Sequence, residues 1–133
     1  MTTPHVLLVE DSNFMATRVI EALEGVHRFR VTTVGTTEGV FDALGEHDDI
    51  ACIVSNYELP DKTGIELAQS LSEATELPDI PFVLLTGRTL EPIASEAIAA
   101  GVTEFVYKGD HATGSMDVLA NRITVVLAAH RAK

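Results

Sequence analysis

CIVSNYELPDKTG, residues 52–64, decides the fold. An apolar run stops at Asn56, Pro60 follows four residues later, and Gly64 four after that. Because the run is apolar on both alternating faces, it predicts a parallel strand covered on both sides. Gly64 then opens a helix with Ile65, Ala68 and Leu71 on its inward stripe. A strand tip of this kind is the usual place for a charged group, yet this one carries a neutral amide.

Working outward, the same alternation of short apolar runs and helix-period segments fills the chain. Strands are expected at 5–9 (HVLLV), 29–34 (FRVTTV), 50–55 (IACIVS), 81–86 (PFVLLT) and 104–108 (EFVYK). Ser12 or Asn13 caps a first helix with Ala16, Val19, Ile20 and Leu23 inward and Gly25 as its stop. Thr36 or Thr37 opens a second, using Val40, Phe41 and Leu44 before Gly45. TLEPIASEAIAAG, residues 89–101, makes a fourth, with Pro92 in its first turn and Gly101 as terminator. A last helix runs from about Thr113 towards the C-terminus, with Met116, Leu119, Ile123 and Val126 on its core stripe. Five βα units in a row require parallel strands joined by right-handed crossovers. The fold class is therefore α/β: a five-stranded doubly wound parallel sheet with helices on both faces, for which the flavodoxin-like order 2-1-3-4-5 is preferred over half of a dinucleotide-binding fold.

The bulk numbers narrow the function. The 133 residues suit a single domain over 1–133, and 46% hydrophobic content is enough for an interior. Twenty acidic against nine basic residues give a net charge of −11, a surface that repels nucleic acid and anionic membranes. Only Lys62, Lys108 and Lys133 are lysines; this acidic, lysine-poor profile resembles proteins of salt-loving archaea, and an ordinary acidic cytosolic protein shares it. The N-terminus has no signal-peptide pattern and no stretch reaches membrane-spanning length, so a cytoplasmic location is expected. Cys52 reads as a buried small hydrophobe. The five histidines (His5, His27, His47, His111, His130) are scattered with no ligand-spaced pair, which argues against zinc.

In open parallel sheets, sites form at the carboxyl ends of the strands, near the switch in strand order. Those ends carry Glu10 and Asp11, Ser55 and Asn56, Thr86 and Gly87, and Lys108 and Gly109. Adjacent carboxylates repel unless a cation or solvent separates them, and a hard divalent ion such as Mg²⁺ suits such a pair. The competing reading is that Glu10 and Asp11 cap the first helix, where negative charge is favoured. Lys108 at the same rim can pair with the acids or grip an anion to which Thr86 donates its hydroxyl. No G-x-G-x-x-G or Walker pattern is present, and EDSN after the first strand would repel a bare phosphate.

LLVEDS, IVSNYELPDKTGIEL, VLLTG and GVTEFVYKG, in this order and spacing, resemble a response-regulator receiver domain of the CheY-like type over essentially the whole chain. The resemblance implies a two-component signalling module, without enzymatic turnover of its own, that meets a histidine kinase or another signalling protein. In such domains an Asp at the tip of strand 3 accepts a phosphoryl group, and Mg²⁺ is the cofactor. Carried over, Asp11 is the direct metal ligand, Glu10 binds through water, and Glu58 offers its backbone carbonyl. Thr86 bonds the phosphoryl oxygen, Lys108 neutralises its charge, and Phe105 is the aromatic switch that pivots with Thr86. Three positions depart from the pattern: Asn56 at the acceptor position, Gly87 for alanine, and Gly109 for proline.

Acyl phosphate formation needs an ionised carboxylate, which Asn56 lacks. The expectation is a pseudo-receiver that cannot capture phosphate, binds Mg²⁺ weakly, and acts by docking through helix 4, strand 5 and helix 5. Val118, Val125 and Ala129 form a second apolar stripe on helix 5, and homodimerisation through this face is open. Two alternatives stand: an ordinary phosphoacceptor receiver carrying an Asp-to-Asn change, and, more distantly, a flavodoxin-like small-ligand protein. The final helix continues to the last residue, which suits either a stand-alone regulator or a receiver cut from a longer chain.

Overall fold

The structure, a computed structural model, describes residues 3–86, 91–107 and 112–131. Five parallel strands, β1 (His5–Val9), β2 (Arg30–Val34), β3 (Ile50–Asn56), β4 (Phe82–Thr86) and β5 (Glu104–Tyr107), form one sheet in the order β2-β1-β3-β4-β5. This is the expected doubly wound arrangement. β1 and β4 are buried throughout and β3 nearly so, whereas the edge strand β2 is mixed.

Alternation along the strands divides the interior into two layers. Val6, Leu8, Cys52, Val54, Val83 and Leu85 point to one face. They pack beneath α1 (Asn13–Ile20) and α5 (Ala112–Arg131), which contribute Ala16, Val19, Leu119, Ile123 and Val126. Leu7, Val9, Ile53, Phe82 and Leu84 point to the other. There they meet α2 (Thr37–Glu46), α3 (Gly64–Glu73) and α4 (Glu91–Ala100). No helix among the described residues is long and apolar enough to cross a membrane.

The helix starts follow side-chain chemistry. Ser12 caps α1 by accepting from the Met15 N–H, and Thr36 caps α2 by accepting from Gly39. Thr63 and Glu66 form a reciprocal capping box at α3. Gly101, with φ +101, ends α4 in the left-handed region that glycine adopts without strain.

Four expectations need correction. Gly25 does not stop the first helix, which passes straight into a π-helical segment, Glu21–Val26. That segment closes with the His27 N–H on the Ala22 carbonyl and the Phe29 N–H on Leu23, and Arg28, not a glycine, takes the left-handed turn at φ 61. β2 consequently starts at Arg30, although Phe29 is still buried. Gly45 lies inside α2, whose C-cap is His47. Phe41 faces solvent while Ala43 is buried, because the inward stripe of α2 runs through Thr37, Val40 and Ala43.

Candidate functional site at the strand tips

The sheet register brings the tips together. Val9 is level with Ser55 and Asn56 with Leu85. One step on, Glu10 and Asn56 stand side by side at the ends of β1 and β3, and the Glu10 N–H still reaches the Val34 carbonyl of β2. Both continue the face carrying Leu8 and Val54. Thr86 closes β4 one residue beyond the level of Asn56 and is fully buried. Glu10, Asn56 and Thr86 are thus buried polar side chains at one rim, and Asp11 follows, exposed, in the loop.

Glu10 and Asn56 each make a specific side-chain bond. Glu10 Oε2 accepts from the Ser12 N–H at 3.1 Å, so the carboxylate also supports the start of α1, as the capping alternative expected. The Asn56 side chain donates through Nδ2 to the Glu58 carbonyl at 2.8 Å. The Ser55 hydroxyl donates to the Asn56 backbone carbonyl at 3.0 Å. Beyond the tip, the chain is held by the Tyr57 N–H on Leu85 and the Gly64 N–H on Tyr57, both at 2.7 Å.

Asp61 is a member of this rim that the sequence reading gave no role. Its carboxylate accepts from the Thr37 hydroxyl at 2.6 Å and from the Thr37 N–H at 3.1 Å. These bonds, the hydroxyl first, hold the Asp61 carboxyl below its ordinary range and tie the loop after β3 to the start of α2. An Asp beside Pro60, with a Thr-Thr pair at a helix start, was the available signal.

Phe105 lies in β5, level with Leu84, half-buried against the layer beneath α2, α3 and α4. Lys108, Gly87 and Gly109 lie outside the described residues, as does the start of the 89–101 segment at Thr89 and Leu90. Cys52 is fully buried and burial pushes its thiol up to about 12, so it remains protonated and inert.

Two of the histidines scattered in sequence come together at the opposite end of the sheet. His5 and His47, 42 residues apart in sequence, meet edge to face with ring centroids 5.2 Å apart, and Asp49 joins them.

Comparisons with known proteins agree with this geometry. The response regulator receiver domain model matches residues 6–117. The two-component response regulator ORR11 of Oryza sativa subsp. indica is 31% identical over 105 residues, 79% of this chain and 71% of that protein. ARR15 of Arabidopsis thaliana is 32% identical over 114 residues, 78% of this chain and 55% of that protein. Among solved structures, the phosphorylated cyanobacterial phytochrome response regulator RcpA superposes with a TM-score of 0.82 at 19% identity, covering 96% of each chain. With strand order, family model and sequence similarity all in agreement, this chain belongs to the response regulator receiver domain family, the CheY-like modules of two-component signalling.

Proposed function

We propose that this receiver signals by docking to partner proteins and does not accept a phosphoryl group, Asn56 occupying the acceptor position. The observation that carries the reading is the 2.8 Å bond from Asn56 Nδ2 to the Glu58 carbonyl. An aspartate at 56 would set a carboxylate oxygen against that carbonyl, and two acceptors stay together only with a cation or proton between them. The amide supplies the hydrogen itself. It therefore replaces the metal as the link between the strand tip and the loop, and it offers no anionic nucleophile.

Glu10, Asp11 and the Glu58 carbonyl remain a donor set that suits Mg²⁺, which takes one or two carboxylates and completes its octahedron with water. With Asn56 the set has one negative charge fewer, and the Glu58 oxygen is already accepting a bond. Mg²⁺ affinity is lower as a result. When bound, the ion would supply charge neutralisation for an incoming anion; Thr86 and Lys108 are the side chains assigned to meet that anion, and Phe105 the switch.

Family membership implies signalling partners such as histidine kinases. The docking face assigned here is α4, β5 and α5. Ile98 of α4 is 65% exposed and Val118 and Val125 of α5 are about half exposed, apolar side chains that a partner could cover. Arg122, between the two valines on the same helical stripe, pairs with Glu104 of β5 at 3.5 Å, which places that stripe along the β5 edge.

The test uses Asn56→Asp alongside the unaltered chain, each treated with a small acyl phosphate and Mg²⁺, with phosphate uptake read by intact mass. The expected outcome is uptake by the variant alone. Uptake by the unaltered chain sinks the reading. Uptake by neither leaves docking standing and shows a pocket lost beyond one residue. The retained Glu10, Asp11 and Thr86 favour the first outcome, and with it a parent receiver of ordinary phosphoacceptor type.

A further inference from the structure

We propose that His5, His47 and Asp49 form a binding site for a borderline transition-metal ion such as Zn²⁺, at the end of the sheet opposite the receiver pocket. One ligand atom from each lies within 4.8 Å of the other two. Tetrahedral zinc, with nitrogen and oxygen ligands at about 2.0–2.2 Å, needs ligand atoms about 3.3 Å apart. Modest rotation of His47, at the end of α2, and of half-exposed Asp49 closes that gap, while buried His5 stays fixed.

The hydrogen bonds around His5 already set it up as a ligand. Its Nδ1 is 2.8 Å from an Arg30 guanidinium nitrogen, and its Nε2 is 2.6 Å from the Thr32 hydroxyl. A guanidinium only donates and a carboxylate only accepts, so the role of Nδ1 is set by the tautomer: with the ring proton on Nε2, given to Thr32, Nδ1 presents its lone pair. Orienting a metal-binding imidazole by tying down its other nitrogen is how such ligands are held. The same Nδ1 lies 2.8 Å from Asp49 Oδ1. A lone pair facing a carboxylate oxygen needs a positive group between them, and Arg30, which also bonds Asp49 Oδ2, supplies one.

Arg30 therefore stands where a metal ion would, and it is replaceable. Its side chain is about half exposed, so it can swing into solvent. An ion would gain two imidazoles and a carboxylate, the donor set that favours zinc, nickel or copper over magnesium. Water completes the coordination from the open groove of about 1220 Å³ that His5 and Asp49 line together with Arg28 and His130. The bound ion would join the starts of β1 and β3 to the end of α2.

The experiment is calorimetric titration of the metal-free chain with Zn²⁺ in excess Mg²⁺, repeated on His47→Gln and Arg30→Gln. One ion per chain is expected, with affinity falling at least roughly tenfold in His47→Gln and rising in Arg30→Gln as the competing cation is removed. Co²⁺ should give the intense visible bands of a tetrahedral nitrogen-containing site. Absence of a saturable step overturns the proposal. So does a step equally strong in His47→Gln, or faint octahedral cobalt bands, because either result assigns the ion to surface carboxylates. Should His47→Gln fail to fold, Arg30→Gln decides alone, weaker or unchanged binding counting against the site. None of these readouts involves phosphate uptake at Asn56, so the two proposals fail separately.

Discussion

The backbone carbonyl of Asn56 faces Gly64 so closely that a Cβ on Gly64 would lie 2.6 Å from the oxygen, and equally close to Leu84 Cδ1. The glycine is needed for space. It lets α3 begin directly against the tip of β3, and it fixes the loop from Tyr57 to Thr63 in between. The Asn56–Glu58 bond depends on that loop.

Gly64→Ala should therefore destabilise the chain by about 1–3 kcal/mol, the range for forcing a methyl group into packed surroundings. Urea denaturation measures the loss. Backbone amide shifts should move at Asn56, Tyr57 and Glu58 more than in the distant layer beneath α1 and α5.

Asn56→Asp should tighten Mg²⁺ binding by about tenfold or more, since one added carboxylate charge near a divalent ion contributes on the order of a kcal/mol even when well solvated. Titration calorimetry at fixed ionic strength reads the change. Without Mg²⁺ the same variant should be less stable than the unaltered chain, because its carboxylate meets the Glu58 carbonyl with no bridging proton.

Thr63→Ala removes half of the α3 capping box and should cost about 0.5–2 kcal/mol. Thr63→Ser should recover most of it, since the hydroxyl that accepts from Glu66 is retained. Thermal melts of the three proteins settle the order.

Asp61 should make stability depend on acid. Its folded pKa lies below the ordinary 3.8 because Thr37 donates to it. Its contribution is therefore present above that value and lost as pH falls through the lower folded pKa. Asp61→Asn should be less stable at neutral pH, and its deficit should shrink below about pH 3.8. A gap that stays constant across that range would assign the loss to something other than the charge.

Much of the fold was legible because β1, β3 and β4 are covered on both faces and so announce themselves as unbroken apolar runs. The repeated βα pattern required parallel strands, and five of them favoured the order 2-1-3-4-5 that the sheet has. Helix ends were less legible: Gly25 sits within the π-helical segment, and Arg28 accepts the left-handed conformation that glycine would have advertised. Phe41 misled because hydrophobicity alone does not fix which way a helix is rotated, and the small Ala43 packs more closely against the sheet. At the tips, Glu10, Asn56 and Thr86 could be read from strand ends. The Glu58 carbonyl came only through resemblance, since a backbone oxygen has no letter of its own. The pairing of His5 with His47 was beyond any local spacing rule, being made by the β1–β3 register and the length of α2.

The Asn56–Glu58 bond has a consequence for how such a module would be controlled. A link made by a neutral amide survives chelators, depleted magnesium and exhausted phosphodonors alike. For the docking proposed above, partner occupancy then tracks how much of this protein is present, and its dose becomes the message.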